Sequence, residues 1–162
     1  SSSPEGINSS LKRSTMLFIA VTLHNIPEGM AVGLTFGMAS DTIATTIASA
    51  LALGIGIGLQ NIPEGAAISL PLKEEGFSSK KAFLYGTLSG VVEPISGILG
   101  VFLIGSLISV MPWLLSFAAG AMIYVVAEEL IPEANKTEHS NLGTIGVMIG
   151  FVIMMTLDIA LA

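Results

Sequence analysis

Apolar residues fall along this chain in five long blocks, separated by short stretches where polar residues collect. The blocks run from Ser14 to Ala39, Thr42 to Leu72, Ala82 to Ser109, Met111 to Ile131 and Leu142 to Leu161. A helix needs about 20 residues to cross the hydrocarbon of a bilayer, and each block supplies that. Only helices and closed barrels satisfy their own backbone in lipid, so the pattern predicts an all-α integral membrane bundle of five transmembrane helices. Residues 1–13 read as a flexible loop end, because Ser1 to Ser10 has no apolar period; residues 14–162 form the membrane domain. Ser40-Asp41 reads as a turn, and Met111-Pro112-Trp113 as a membrane interface that opens the fourth helix.

The blocks are not uniformly apolar. His24-Asn25-Ile26-Pro27-Glu28-Gly29 lies inside the first, and Gln60-Asn61-Ile62-Pro63-Glu64-Gly65 lies inside the second, 36 positions later. Residues four apart share a helix face, so His24 stands over Glu28, and Gln60 over Glu64. Asn25 and Asn61 sit three residues before each glutamate and can lean toward the same carboxylate. Each proline lacks an N–H and crowds the carbonyl four residues back, which belongs to Leu23 or Leu59. Two such interrupted helices at corresponding positions predict a binding site near the bilayer midplane. Glycines at 54, 56 and 58 just before the second motif allow close helix approach. A third Glu-Pro pair, Glu93-Pro94, lies in the middle of the third block.

Composition agrees with a membrane class: 52% of residues are hydrophobic and 11% charged, against roughly a quarter charged in a soluble domain. The net charge of −6 does not indicate a solvated acidic surface, because Glu28, Glu64, Glu93 and Asp158 all fall within apolar runs. No Lys or Arg inside the blocks can pair with these carboxylates, and a buried unpaired carboxylate is expensive. A divalent cation would offset two of them at once. With no cysteine in the chain, the donors are imidazole, amide and carboxylate, a set suited to zinc, manganese, iron or cobalt. One such motif alone could be a kink beside a hydrogen-bonded core histidine; its recurrence in the same register argues for ligation. No HExxH or equivalent paired-histidine motif appears, so an intramembrane metal-dependent enzyme is the weaker reading and a non-enzymatic role is expected. Glu128, Glu129 and Glu133 gather at the end of the fourth block, where they read as solvated.

The six basic residues set a direction. Lys12 and Arg13 precede the first block, Lys73, Lys80 and Lys81 lie between the second and third, and Lys136 follows the fourth. All six fall on one side of a five-helix arrangement, which predicts that the start of the chain is cytoplasmic and its end outside.

HNIPEG followed by QNIPEG, then Glu93-Pro94 and Ala127-Glu128-Glu129-Leu130-Ile131-Pro132-Glu133, resembles the ZIP family of divalent-metal transporters, in particular its GufA-like branch. The resemblance implies spans four to eight of an eight-span fold, with the first three spans absent and the Ser-rich start ending a long cytoplasmic loop. It implies movement of a divalent metal toward the cytoplasm: zinc first, with cadmium, iron and manganese as alternatives. It also implies a binuclear metal centre. His24, Glu28, Gln60 and Glu64 would hold one ion; Asn25, Glu28, Asn61, Glu64 and Glu93 would hold the second, with Glu28 and Glu64 bridging. Glu128 and Glu129 fall where the family's metal leaves. Gln60 stands where many members have His, and Asn61 where some have Asp, so this centre carries fewer imidazoles and less charge. The expected partners are the lipid bilayer, divalent metal ions, the first three spans and a second copy in a homodimer, without nucleic acid. In a prokaryote the location would be the inner cell membrane. A metal-binding membrane module that does not transport is the other reading.

Overall fold

A computed structural model of the chain describes residues 13–39, 44–135 and 141–161. The expectations placed on Ser1 to Ser10, Lys12, the Ser40-Asp41 turn and Lys136 lie outside the described residues, as do those on the Arg13 and Asp158 side chains. The described residues are helical with no strand: α1 (Arg13–Met38), α2 (Ala44–Glu74), α3 (Ser79–Phe102), α4 (Ile104–Val125), a π-helical turn (Val126–Leu130), α5 (Ile131–Ala134) and α6 (Leu142–Leu161). Helix α4, the π turn and α5 run on as one continuous helical stretch, Ile104–Ala134.

Three stretches, Ser14–Met38, Ser79–Phe102 and Ile104–Ala134, are long and apolar enough to cross a bilayer. Helix α2 has 31 residues and carries Gln60, Asn61 and Glu64 within its length, and α6 includes the apolar stretch Leu142–Leu157. Phe102, Trp113 and Leu142 are exposed at 80, 77 and 75%, a surface suited to hydrocarbon rather than water.

The third and fourth helices meet elsewhere than the sequence pattern predicts. The break falls at Leu103, with φ −104° and ψ 14°, while Ser109 to Trp113 lies inside α4. Leu103 is apolar among apolar neighbours and gives no hydropathy signal, whereas Pro112 is absorbed as an interior proline. Between α2 and α3 the turn follows its residues closely. Gly76 takes a positive φ of 93°. Phe77 N–H donates to Leu72 O at 3.1 Å, and Gly76 N–H to Lys73 O at 3.1 Å, the bond pair that closes a helix on a left-handed glycine. Ser78 then caps α3, its side chain accepting from Lys81 N–H at 3.4 Å.

Leu17, Val21, Ile68, Leu72, Ala82 and Val125 form a buried cluster beside this turn, with Phe77 packed against it. Tyr85 stands edge-on to Phe18 and Phe77, with ring centroids 5.7 and 6.1 Å away. Helix α1 is the centre of the bundle and packs on α2, α3 and α4, while α6 rests on α2 and α5. The α1–α3 seam is tight because glycines line it. A methyl on Gly33 would collide with the Gly97 carbonyl, and one on Gly100 would lie 2.7 Å from Met30 O. Gly29, at the end of the first motif, therefore sits directly against Glu93 and Ser96.

Candidate metal centre

The first motif reaches the middle of the bundle because α1 is covered on several sides. His24 is 6% exposed and Asn25 is fully buried. Helical spacing places Glu28 one turn beyond His24, with Nε2 3.3 Å from Glu28 Oε1. The second motif, on α2, brings Glu64 Oε1 to 3.9 Å from the same Nε2. Ligand atoms of His24, Glu28 and Glu64 all lie within 4.8 Å of one another. Two donors sharing one ion at bond lengths of about 2.1 Å cannot be more than about 4.2 Å apart. Both distances from Nε2 meet that limit, and a shift of under about 1 Å would bring in the third.

The hydrogen bonding around these atoms decides their chemistry. His24 Nδ1 lies 3.0 Å from Ala118 O on α4. A carbonyl only accepts, so Nδ1 carries hydrogen, and in the neutral ring Nε2 is a bare acceptor. Nε2, Glu28 Oε1 and Glu64 Oε1 are then three acceptors turned toward one another, and only a proton or a cation between them makes that arrangement stable.

The asparagines continue the site toward α3. Asn25 Nδ2 donates to Ser89 O at 3.0 Å and to Asn61 Oδ1 at 3.4 Å, and Asn61 Nδ2 donates to Ile57 O at 3.3 Å. Glu93 on α3 is 8% exposed and lines one cavity with Asn61. Asn25 Oδ1, Glu28 Oε2, Glu64 Oε2 and Glu93 Oε1 are buried oxygens with no hydrogen-bond donor. Of the five buried side-chain atoms without a hydrogen-bond partner among the described residues, these four come from the two motifs and Glu93-Pro94 and the fifth is Ser14 Oγ; the four together fit a cationic guest.

The structure thus gathers His24, Glu28 and Glu64, and brings Asn25, Asn61 and Glu93 next to one another. Gln60, one turn before Glu64, lines with it a cavity of about 430 Å³ bounded also by Met122, Val126, Phe151 and Met154. Asn61 and Glu93 line another cavity, of about 620 Å³, among α1, α2 and α3. Glu128 and Glu129 sit on the π turn. Glu129 lines a cavity of about 230 Å³ with Ser14, Glu74, Glu75 and Glu133. The contacts that sequence reasoning missed are the carbonyls of Ala118 and Ser89. Every residue has a carbonyl, so no side-chain pattern could have marked these two.

The profile of the ZIP zinc transporter family matches residues 1–158. The zinc transporter ZIP11 of Homo sapiens is 49% identical over 153 residues, 94% of this chain and 45% of that protein. The zinc transporter GufA of Myxococcus xanthus is 39% identical over 158 residues, 97% of this chain and 60% of its own length. The zinc transporter ZIPB of Bordetella bronchiseptica is 37% identical over 151 residues, 93% and 47% of the two chains. The chain therefore spans about half the length of the curated relatives it matches.

Proposed function

The chain belongs to the ZIP zinc transporter family, and from that premise we propose that it carries a divalent metal cation through the bilayer toward the cytoplasm. Zinc is the first candidate, with cadmium, iron and manganese as alternatives. The observation that carries this reading is the set of three acceptors, His24 Nε2, Glu28 Oε1 and Glu64 Oε1, facing one another within apolar helices. The names of the relatives, all zinc transporters, support the choice of cargo.

In this reading two ions share Glu28 and Glu64. His24 and Gln60 complete one site; Asn25, Asn61 and Glu93 complete the other. The carboxylates offset the charge of an ion that has left water, and the imidazole and amides replace its hydration. Amide oxygens bind divalent ions more weakly than thiolates would, which suits a site that must release its cargo. Glu128 and Glu129, on the π turn, are the candidate exit path. The start of the chain faces the cytoplasm, and two copies associate as a homodimer.

Uptake of radiolabelled zinc by proteoliposomes tests the proposal. Uptake that is saturable, and is lost in Glu28→Ala and Glu64→Ala, is the expected result. Metal binding with no uptake in any orientation would instead indicate a membrane module that holds metal without moving it. Zinc-dependent hydrolysis without uptake would indicate an enzyme.

A further inference from the structure

Helix α4 contributes no carboxylate, imidazole or side-chain amide between Ile104 and Val125. Yet it touches the centre through one backbone atom, the Ala118 carbonyl oxygen, 3.0 Å from His24 Nδ1. Building on the reading of His24 as a ligand, we propose that this carbonyl is the positioning group of the centre. It fixes the tautomer and ring orientation of His24, so that metal affinity depends on where α4 sits.

Several features make the bond effective. His24 and Ala118 are 6% and 2% exposed, so water does not compete for the Nδ1 hydrogen. A carbonyl has two lone pairs, which lets Ala118 accept from His24 in addition to its own helix. The small residues Ala118, Ala119 and Gly120 let the α4 backbone come close enough to α1 for a direct bond. On the other side of the ring, Nε2 faces Glu28 at 3.3 Å and Glu64 at 3.9 Å. With hydrogen fixed on Nδ1, the Nε2 lone pair is the one aimed between those carboxylates.

Without the Ala118 bond the neutral ring could take its other tautomer, which places a hydrogen where the metal bond must form, or rotate about its χ2. Hydrogen bonds of this kind to the distal nitrogen of a ligating imidazole typically contribute 10- to 100-fold in metal affinity. Here the acceptor belongs to a different helix from the histidine, 94 residues away in sequence. A movement of α4 relative to α1 therefore alters the ligand without touching the ion.

The test reads the ring itself. The chain has two histidines, His24 and His139, so the imidazole nitrogen NMR signals of the purified protein in lipid nanodiscs can be assigned with His139→Asn. In metal-free protein, at a pH where the rings are neutral, His24 is expected to carry hydrogen on Nδ1; hydrogen on Nε2 overturns the proposal. An ester replacing the peptide bond between residues 118 and 119 weakens the Ala118 carbonyl as an acceptor without changing a side chain. That ester should lower zinc affinity about tenfold and populate the other tautomer. The same ester one residue earlier, weakening the Phe117 carbonyl, should do neither. If the 118–119 ester lowers affinity while the tautomer stays fixed, or changes neither, the carbonyl has no positioning role. His24→Ala separates this proposal from the reading beneath it. Unchanged zinc affinity in that variant refutes His24 as a ligand, and with it the effect of Ala118 on affinity, whereas the tautomer decides the bond independently.

Discussion

Glu28 and Glu64 each turn one oxygen toward His24 and leave the other buried without a donor. Removing either carboxylate takes away one of the few groups in the apolar surroundings that can offset a cation's charge. Glu28→Ala and Glu64→Ala should each lower zinc affinity by more than the ~100-fold that loss of a ligand's supporting group can cause. Glu74→Ala, at an exposed position, should leave affinity at the centre unchanged by calorimetry. Equal losses in all three would mean misfolding. Gln60 offers a different test, because an imidazole binds borderline ions more strongly than an amide oxygen. Gln60→His should tighten zinc binding and slow turnover, measured by calorimetry and by uptake; unchanged affinity in a folded variant would remove Gln60 from the site. At this scale the sequence was unusually legible. His24 over Glu28 follows from helical spacing alone, and the 36-residue repeat brings Asn61 to Asn25. What could not be read was which nitrogen of His24 is bare, since that depends on a backbone oxygen.

Among the elements, α1 and α3 are the most closely fitted pair. Gly33→Ala puts a methyl into the Gly97 backbone, where no flexible group can yield, and should lower stability by about 1–3 kcal/mol. Gly58→Ala meets nothing within 4 Å and sits inside α2, so it should raise stability by up to about 1 kcal/mol. Thermal unfolding in detergent would show the two melting temperatures moving in opposite directions. Helix ends were legible where local chemistry sets them. Glu75-Gly76-Phe77-Ser78 contains a left-handed glycine, an apolar residue returning to Leu72 and a capping serine, and the turn falls there. The Leu103 break has no comparable signal. Met111-Pro112-Trp113 reads as the interface that opens the fourth helix, but helix α4 begins at Ile104 and runs through Pro112 to Val125.

For the whole molecule, charge gives an expected direction across the bilayer. Lys73, Lys80 and Lys81 flank the α2–α3 turn, the side expected to remain in the cytoplasm. In cells carrying single cysteines, Ser40→Cys should react with an impermeant thiol reagent added outside and Ser78→Cys should not; the reverse pattern means the bundle is inverted. The glycine seam described between α1 and α3 has a consequence for binding as well as for stability. His24, Asn25 and Glu28 ride on α1 and Glu93 on α3, so these four donors are carried by one closely packed helix pair. Glu28 and Glu93 are held near each other by helix packing, so the cost of bringing two carboxyl groups together is met during folding rather than at the moment of capture. Preorganisation of this kind leaves only Gln60, Asn61 and Glu64 on α2 to adjust. In hydrogen–deuterium exchange, zinc should therefore slow exchange along α2 more than along the α1–α3 seam.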